Sequence, residues 1–122
     1  MDLAPIDPPL KLENVFAMPG DLADPSVFPA LLEFLGRRAD VLLCDAAPKL
    51  TGVRASDRAR EEALLEAVEV ALAELLRTGG LALVKLLDCP EAQAFDARIR
   101  RSFSTARRIR PGASRKGSSE TY

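Results

Sequence analysis

At 122 residues the chain is the size of one domain; its 48% hydrophobic content can build a core, and its 5% aromatic content makes that core aliphatic. With no histidine, acid–base chemistry in it falls to Asp, Glu, Lys, Tyr or Cys, and Ser-His-Asp and Cys-His mechanisms are excluded. The net charge of −1 hides a split: residues 1–96 carry 9 basic and 17 acidic side chains, whereas residues 97–122 carry 8 basic and 1 acidic.

Residues 1–13, rich in Pro and Asp, read as a loop. Asn14 to Met18 predicts a short apolar strand ended by Pro19-Gly20-Asp21. Asp24-Pro25-Ser26 opens a helix, with Asp24 as N-cap and Pro25 at the first position. Val27, Leu31, Leu32 and Leu35 form its stripe, and Gly36 closes it. Ala39 to Cys44 predicts a strand covered on both faces, because Val41, Leu42 and Leu43 run without polar interruption. After a loop from Asp45 to Arg54, a long helix is predicted from about Asp57 to Arg77, with Leu64, Leu65, Val68, Leu72 and Leu75 at helical spacing. Thr78-Gly79-Gly80 stops it. Leu81 to Leu87 predicts a second buried strand, Glu91 to Phe103 an amphipathic helix, and Ala106 to Ile109 a weak strand. A polar loop follows, and the chain turns extended again near Tyr122. The β-α-β-α-β-α-β order predicts an α/β fold with a doubly wound, mostly parallel sheet. Such folds bind ligands at the carboxyl ends of their strands.

Three residues fall on that rim: Asp21, Asp45 and Lys85. A carboxylate directly after a buried strand is costly without a partner or ligand. A lysine within Leu83-Val84-Lys85-Leu86-Leu87 is odder still. The plain alternative is a structural Asp45–Lys85 ion pair. Buried ion pairs are poor stability devices, whereas a desolvated lysine is easily tuned for proton transfer, which favours a functional pair. The two cysteines, Cys44 and Cys89, are too few for a zinc site and read as free thiols in a reducing compartment. No apolar run reaches membrane-spanning length, and Met1-Asp2-Leu3-Ala4-Pro5 lacks the features of a signal peptide. The basic end, with Arg107, Arg108, Arg110, Arg115 and Lys116, suits an anionic partner such as nucleic acid; the alternative is a solvated tail.

The segment Asp45-Ala46-Ala47-Pro48-Lys49-Leu50-Thr51-Gly52 resembles the Asp-x-Ala-Pro-x-x-[Ser/Thr]-Gly motif of the FtsJ-like ribosomal RNA 2′-O-ribose methyltransferases. Arg77-Thr78-Gly79-Gly80 resembles the family's turn before a strand bearing Val-Lys, here Val84-Lys85. Pro111-Gly112-Ala113-Ser114-Arg115-Lys116-Gly117-Ser118-Ser119-Glu120-Thr121-Tyr122 resembles its Pro-x-[Ala/Ser]-Ser-Arg-x-x-Ser-x-Glu-x-Tyr ending. The spacings match as well, 40 residues from Asp45 to Lys85 and 35 from Lys85 to Glu120.

The resemblance implies a Rossmann-like class I methyltransferase fold. It implies that Asp45, Lys85 and Glu120 are the last three members of a catalytic Lys-Asp-Lys-Glu tetrad, with Lys85 as the base. It implies S-adenosyl-L-methionine as methyl donor, held by Asp2 at the ribose hydroxyls, by Asp21 at the adenine amine, and beside Asp45. It implies ribosomal RNA of the large subunit as partner, contacted by the basic tail, and a cytoplasmic or mitochondrial monomer. The family's first strand, its Gly-x-x-Pro-Gly-Gly loop and its first catalytic lysine have no counterpart in these residues, and its last strand is cut short. Residues 1–122 are therefore expected to be a partial domain, inactive alone. The competing readings are a non-catalytic remnant or RNA-binding fragment of such an enzyme, and an unrelated nucleotide-binding α/β protein, which leaves the Asp45, Lys85 and Glu120 spacing unexplained.

Overall fold

The computed structural model describes residues 1–3, 13–110 and 120–122. Asp24 caps a 3-10 turn, Pro25–Val27, its carboxylate accepting from the Ser26 amide at 3.0 Å. Helix α1, Phe28–Leu35, follows directly and ends at Gly36, whose φ of 67° is the left-handed value expected of a helix-terminating glycine. Strand β1 is Ala39–Cys44, with the bounds predicted from its apolar run. Helix α2, Arg54–Leu75, is the longest element. It leads into β2, Leu76–Val84, then β3, Leu86–Leu87, α3, Pro90–Ser102, and β4, Glu120–Thr121.

Strands β1 and β2 pair in parallel through the α2 crossover, with Val41 opposite Leu81 and Cys44 opposite Val84. The Lys85 amide extends the ladder by donating to the Cys44 carbonyl at 2.8 Å. Strands β3 and β4 pair antiparallel, Leu86 with Thr121 and Leu87 with Glu120.

The core lies between these strands, α2 and α3. Leu65, Val68 and Leu72 of α2 meet Leu76, Leu86, Ala92 and Phe95, with Leu42, Cys44 and Val84 packed against them. A second cluster joins Ala71 and Leu75 to Phe28 of α1. Arg58 to Glu91 at 2.7 Å and Arg98 to Glu69 at 2.8 Å tie α2 to α3 across its flanks. No described helix is long and apolar enough to cross a membrane.

Several expectations change. The long helix spans Arg54–Leu75 rather than 57–77, because Leu76 is buried and pairs with Ala39. Thr78-Gly79-Gly80 is consequently not a helix stop but part of an irregularity inside β2: two positions on β1, Ala39 and Val41, face residues five apart, Leu76 and Leu81. Gly79 takes a φ of 73°, and a Cβ on Gly80 would meet Leu76 Cδ1 at 2.8 Å. Gly-Gly is what lets the strand fold in this way.

Asn14 to Met18 forms no strand; among the described residues an isolated parallel bridge between Asp2 and Pro19 adjoins it, and Phe16 stacks on Phe34 at 4.9 Å. An apolar run becomes a strand only where a partner takes its backbone groups. Ala106 to Ile109 is likewise not a strand, although Ile109 and Tyr122 exchange two backbone hydrogen bonds. Among the described residues there is thus a mixed α/β arrangement with one parallel pair and one antiparallel pair, not a continuous doubly wound sheet.

Candidate active site at the strand ends

Asp45 follows the last residue of β1 and Lys85 the last residue of β2, and the parallel register sets these ends side by side. Lys85 Nζ lies 3.2 Å from Asp45 Oδ1, with the lysine side chain 13% exposed and the aspartate 78%. The pair predicted from strand ends is therefore formed, with its cation sheltered and its anion open to the rim.

The same Asp45 oxygen accepts from the Tyr122 hydroxyl at 3.3 Å. Partial burial, and then the neighbouring Asp45 charge, push the Tyr122 phenol above its ordinary range, so it acts as a hydrogen-bond donor here. Glu120 sits on β4 opposite Leu87, which is two residues beyond Lys85. Antiparallel β3–β4 pairing is what brings the chain's last residues to this rim.

The loop after Asp45 is fastened by α2. Asp57, in the first turn, accepts from the Thr51 amide and hydroxyl, each at 2.7 Å, and from the Gly52 amide at 3.0 Å. Arg60 donates to the Lys49 carbonyl at 2.7 Å. Those Thr51 bonds hold the Asp57 carboxyl below the usual carboxylate range.

A cavity of about 670 Å³ opens beside the pair, lined by Asp2, Leu3, Gly20, Asp21, Leu22, Leu42, Asp45 and residues of α2. This size and lining, mostly apolar with a few convergent carboxylates, is that of a small-molecule site. Asp2, Asp21 and Asp45 thus meet at one cavity although 43 positions separate the first from the last. Asp21 also serves its own turn, its carboxylate accepting from the Ala23 amide at 2.9 Å.

Of the basic tail, Arg107, Arg108 and Arg110 are exposed; Arg108 also donates to the Ala92 carbonyl at 3.4 Å and lies 4.0 Å from Asp88. Arg115 and Lys116 lie outside the described residues.

Sequence reasoning missed three groups here. Tyr122 was visible as a motif residue without a role. Asp57 gave no local signal for a bond six positions back. Glu61 did give one: it occupies the α2 stripe with Leu65, Val68, Leu72 and Leu75, and is 4% exposed.

The FtsJ-like methyltransferase family model matches residues 1–122. The chain is similar to the ribosomal RNA large subunit methyltransferase E of Methanothermobacter thermautotrophicus, with 39% identity over 111 residues, covering 90% of this chain and 52% of that protein. It is 35% identical over all its length to the proteins of the same name from Treponema denticola and Methanocorpusculum labreanum, covering 60% and 58% of them. The chain thus spans roughly half to three-fifths of the length of these relatives. The family match over the whole sequence shows that the chain belongs to the FtsJ-like methyltransferase family.

Proposed function

We propose that this chain carries the Asp45, Lys85 and Glu120 part of an S-adenosylmethionine-dependent RNA 2′-O-ribose methyltransferase whose substrate is large-subunit ribosomal RNA. The observation that carries this is the Asp45–Lys85 pair at 3.2 Å, set on adjoining strand ends beside a cavity with two further carboxylates. A uridine ribose in the maturing ribosome, met in the cytoplasm, is the substrate the family reading favours. The names of the relatives support the RNA; the geometry supports the chemistry.

The cavity suits the donor. Carboxylates accept from ribose hydroxyls and from an adenine amine, while Leu3, Leu22 and Leu42 offer apolar surface to the base. In this reading Asp2 and Asp21 hold the adenosyl portion and Asp45 borders the reacting end. S-adenosylmethionine supplies an electrophilic methyl group on a sulfonium. With the donor bound, the ribose 2′-oxygen would form the new carbon–oxygen bond as the carbon–sulfur bond breaks, and its proton would pass to the Lys85 amine. Asp45 fixes that amine and Tyr122 fixes Asp45. Glu120, on β4, steadies the same rim. Orientation of this kind contributes by replacing random encounter with aligned attack. Arg107 and Arg110, with Arg115 and Lys116, hold the RNA backbone; phosphate contacts position a strand without reading its sequence.

The finer reading of the fold follows from the same resemblance. This chain corresponds to the later part of a Rossmann-like domain, and the polypeptide that turns over includes a first strand with a glycine-rich loop and another lysine. Two features support it. Asp2 and Pro19 bridge to each other rather than to β1, and side chains on one face of β1 and β2 are exposed. A polypeptide extended by upstream coding sequence with Gly-x-x-Pro-Gly-Gly is expected to methylate ribosomal RNA, read as 2′-O-methylated nucleoside by mass spectrometry. Lys85→Ala is expected to abolish the product while calorimetry still reports S-adenosylmethionine binding. Product formed by Lys85→Ala would refute the assignment.

A further inference from the structure

The acidic body of the chain carries its cations unevenly. Residues 46–60, directly after Asp45, hold four basic side chains, Lys49, Arg54, Arg58 and Arg60, and one acid, Asp57; the rest of residues 1–96 hold 5 basic and 16 acidic. All four cations are exposed. Asp57 turns its carboxylate on the Thr51 and Gly52 amides and the Thr51 hydroxyl, and Arg60 holds the Lys49 carbonyl at 2.7 Å. The loop backbone is thus fastened to α2 while its side chains are left outside. Leu50 is 60% exposed and Val53 61%, and neither joins the core. Lys49 and Arg54 enter no ion pair among the described residues. Arg54 and Arg58, four positions apart, share one face of the first turns of α2. Ordering a loop costs entropy, and a fastened loop that offers cationic and apolar side chains to solvent is arranged for a ligand.

The position beside the Asp45–Lys85 pair says which ligand. Lys49 is four residues beyond Asp45, so their Cα atoms are at most about 14 Å apart. The basic tail reaches the same aspartate from the other end of the sequence: Tyr122 donates to Asp45 at 3.3 Å and exchanges two backbone hydrogen bonds with Ile109, which Arg108 and Arg110 flank. Two cationic segments therefore meet at Asp45. We propose that the loop after Asp45 and the first turns of α2 form a second RNA-contact surface. In it Lys49 and Arg54, supported by Arg58 and Arg60, neutralise phosphates that flank the methylated ribose, and Leu50 packs against a neighbouring nucleotide. This deepens the RNA methyltransferase reading and rests on it for the identity of the polymer. Cations at phosphates set where the strand lies without reading its sequence, so a strand crossing the pair is held by tail and loop together.

The experiment measures binding of a fluorescein-labelled oligouridylate to the purified chain by anisotropy over a series of salt concentrations, which requires no turnover. Lys49→Ala and Arg54→Ala are each expected to weaken binding several-fold and to make the plot of log K against log salt shallower by about 0.7, the loss of one phosphate contact on a single strand. Leu50→Ser is expected to weaken binding with the slope unchanged. Arg37→Ala, just before the opposite end of β1, controls for net charge and is expected to change neither. Wild-type affinity and slope in the Lys49→Ala, Arg54→Ala double variant overturn the proposal, as does an equal effect from Arg37→Ala. If the purified chain gives no folded amide spectrum, the extended polypeptide decides: Lys49→Ala is expected to raise KM for RNA several-fold, more than it lowers kcat, and an unmoved KM overturns the proposal. Oligouridylate binding that responds to Lys49, with no methyl transfer by the extended polypeptide, counts against the methyltransferase reading and leaves the surface standing. Methyl transfer with a KM indifferent to Lys49 does the reverse.

Discussion

The two faces of the β1–β2 pair differ sharply. On one, Leu42, Cys44 and Val84 rest against the α2 and α3 core. On the other, Val41, Leu43, Leu81 and Leu83 are exposed, Leu43 at 72% and Leu81 at 68%. The residues are equally apolar on both. A parallel pair is written for cover on both sides, and the sequence alone does not say which side finds it. The Asp45–Lys85 pair joins the two settings: the Lys85 side chain is sheltered, and Asp45 stands at the open rim.

This contrast can be tested by substitution. The largest effect is expected at Leu65, 2% exposed in the covered core, where Leu65→Ala should cost about 2–5 kcal/mol in chemical denaturation. A smaller effect, of opposite sign, is expected from Glu61→Gln on the same side. Because the folded state raises the Glu61 carboxyl above its unfolded value, the protonated form is the one folding favours. The stability it contributes is full below the unfolded value of 4.5 and is lost as pH rises through the folded value. The amide has no such loss, so Glu61→Gln should raise Tm by on the order of 5 °C near neutral pH, with the gain shrinking toward acid. The smallest effect is expected on the open face, where Leu43→Ser should change stability by no more than about 0.5 kcal/mol. A loss at Leu43 as large as that at Leu65 would mean the open face is covered in solution, and sedimentation would then show whether a second copy covers it.

Much of the covered half was legible. The apolar run of β1, the stripe of α2 and the Asp24 and Gly36 caps are local signals, and each appears where the pattern placed it. Asp45 and Lys85 were legible because a charge in or after an apolar strand contradicts its surroundings. What failed was non-local. Asn14 to Met18 has the composition of a strand, but among the described residues its backbone meets a partner only at its end, where Asp2 bridges to Pro19. Tyr122 and Asp57 act through bonds to residues 77 and 6 positions away, which no periodicity encodes. Glu61 was legible in principle, as an acid on a leucine stripe, since apolar spacing should draw attention to the position that breaks it.

The irregularity in β2 sets the distance on which the site depends. Had the register begun by Ala39 and Leu76 run on unbroken, Cys44 would face Leu81; it faces Val84 instead. The fold at Thr78-Gly79-Gly80 takes up those three residues, which at about 3.3 Å each amount to roughly 10 Å of strand. Without it, Lys85 would overshoot Asp45 by about that length. Two glycines distant from the strand ends thus act as a length adjustment, and straightening the strand there would be felt as a misplaced lysine at its opposite end.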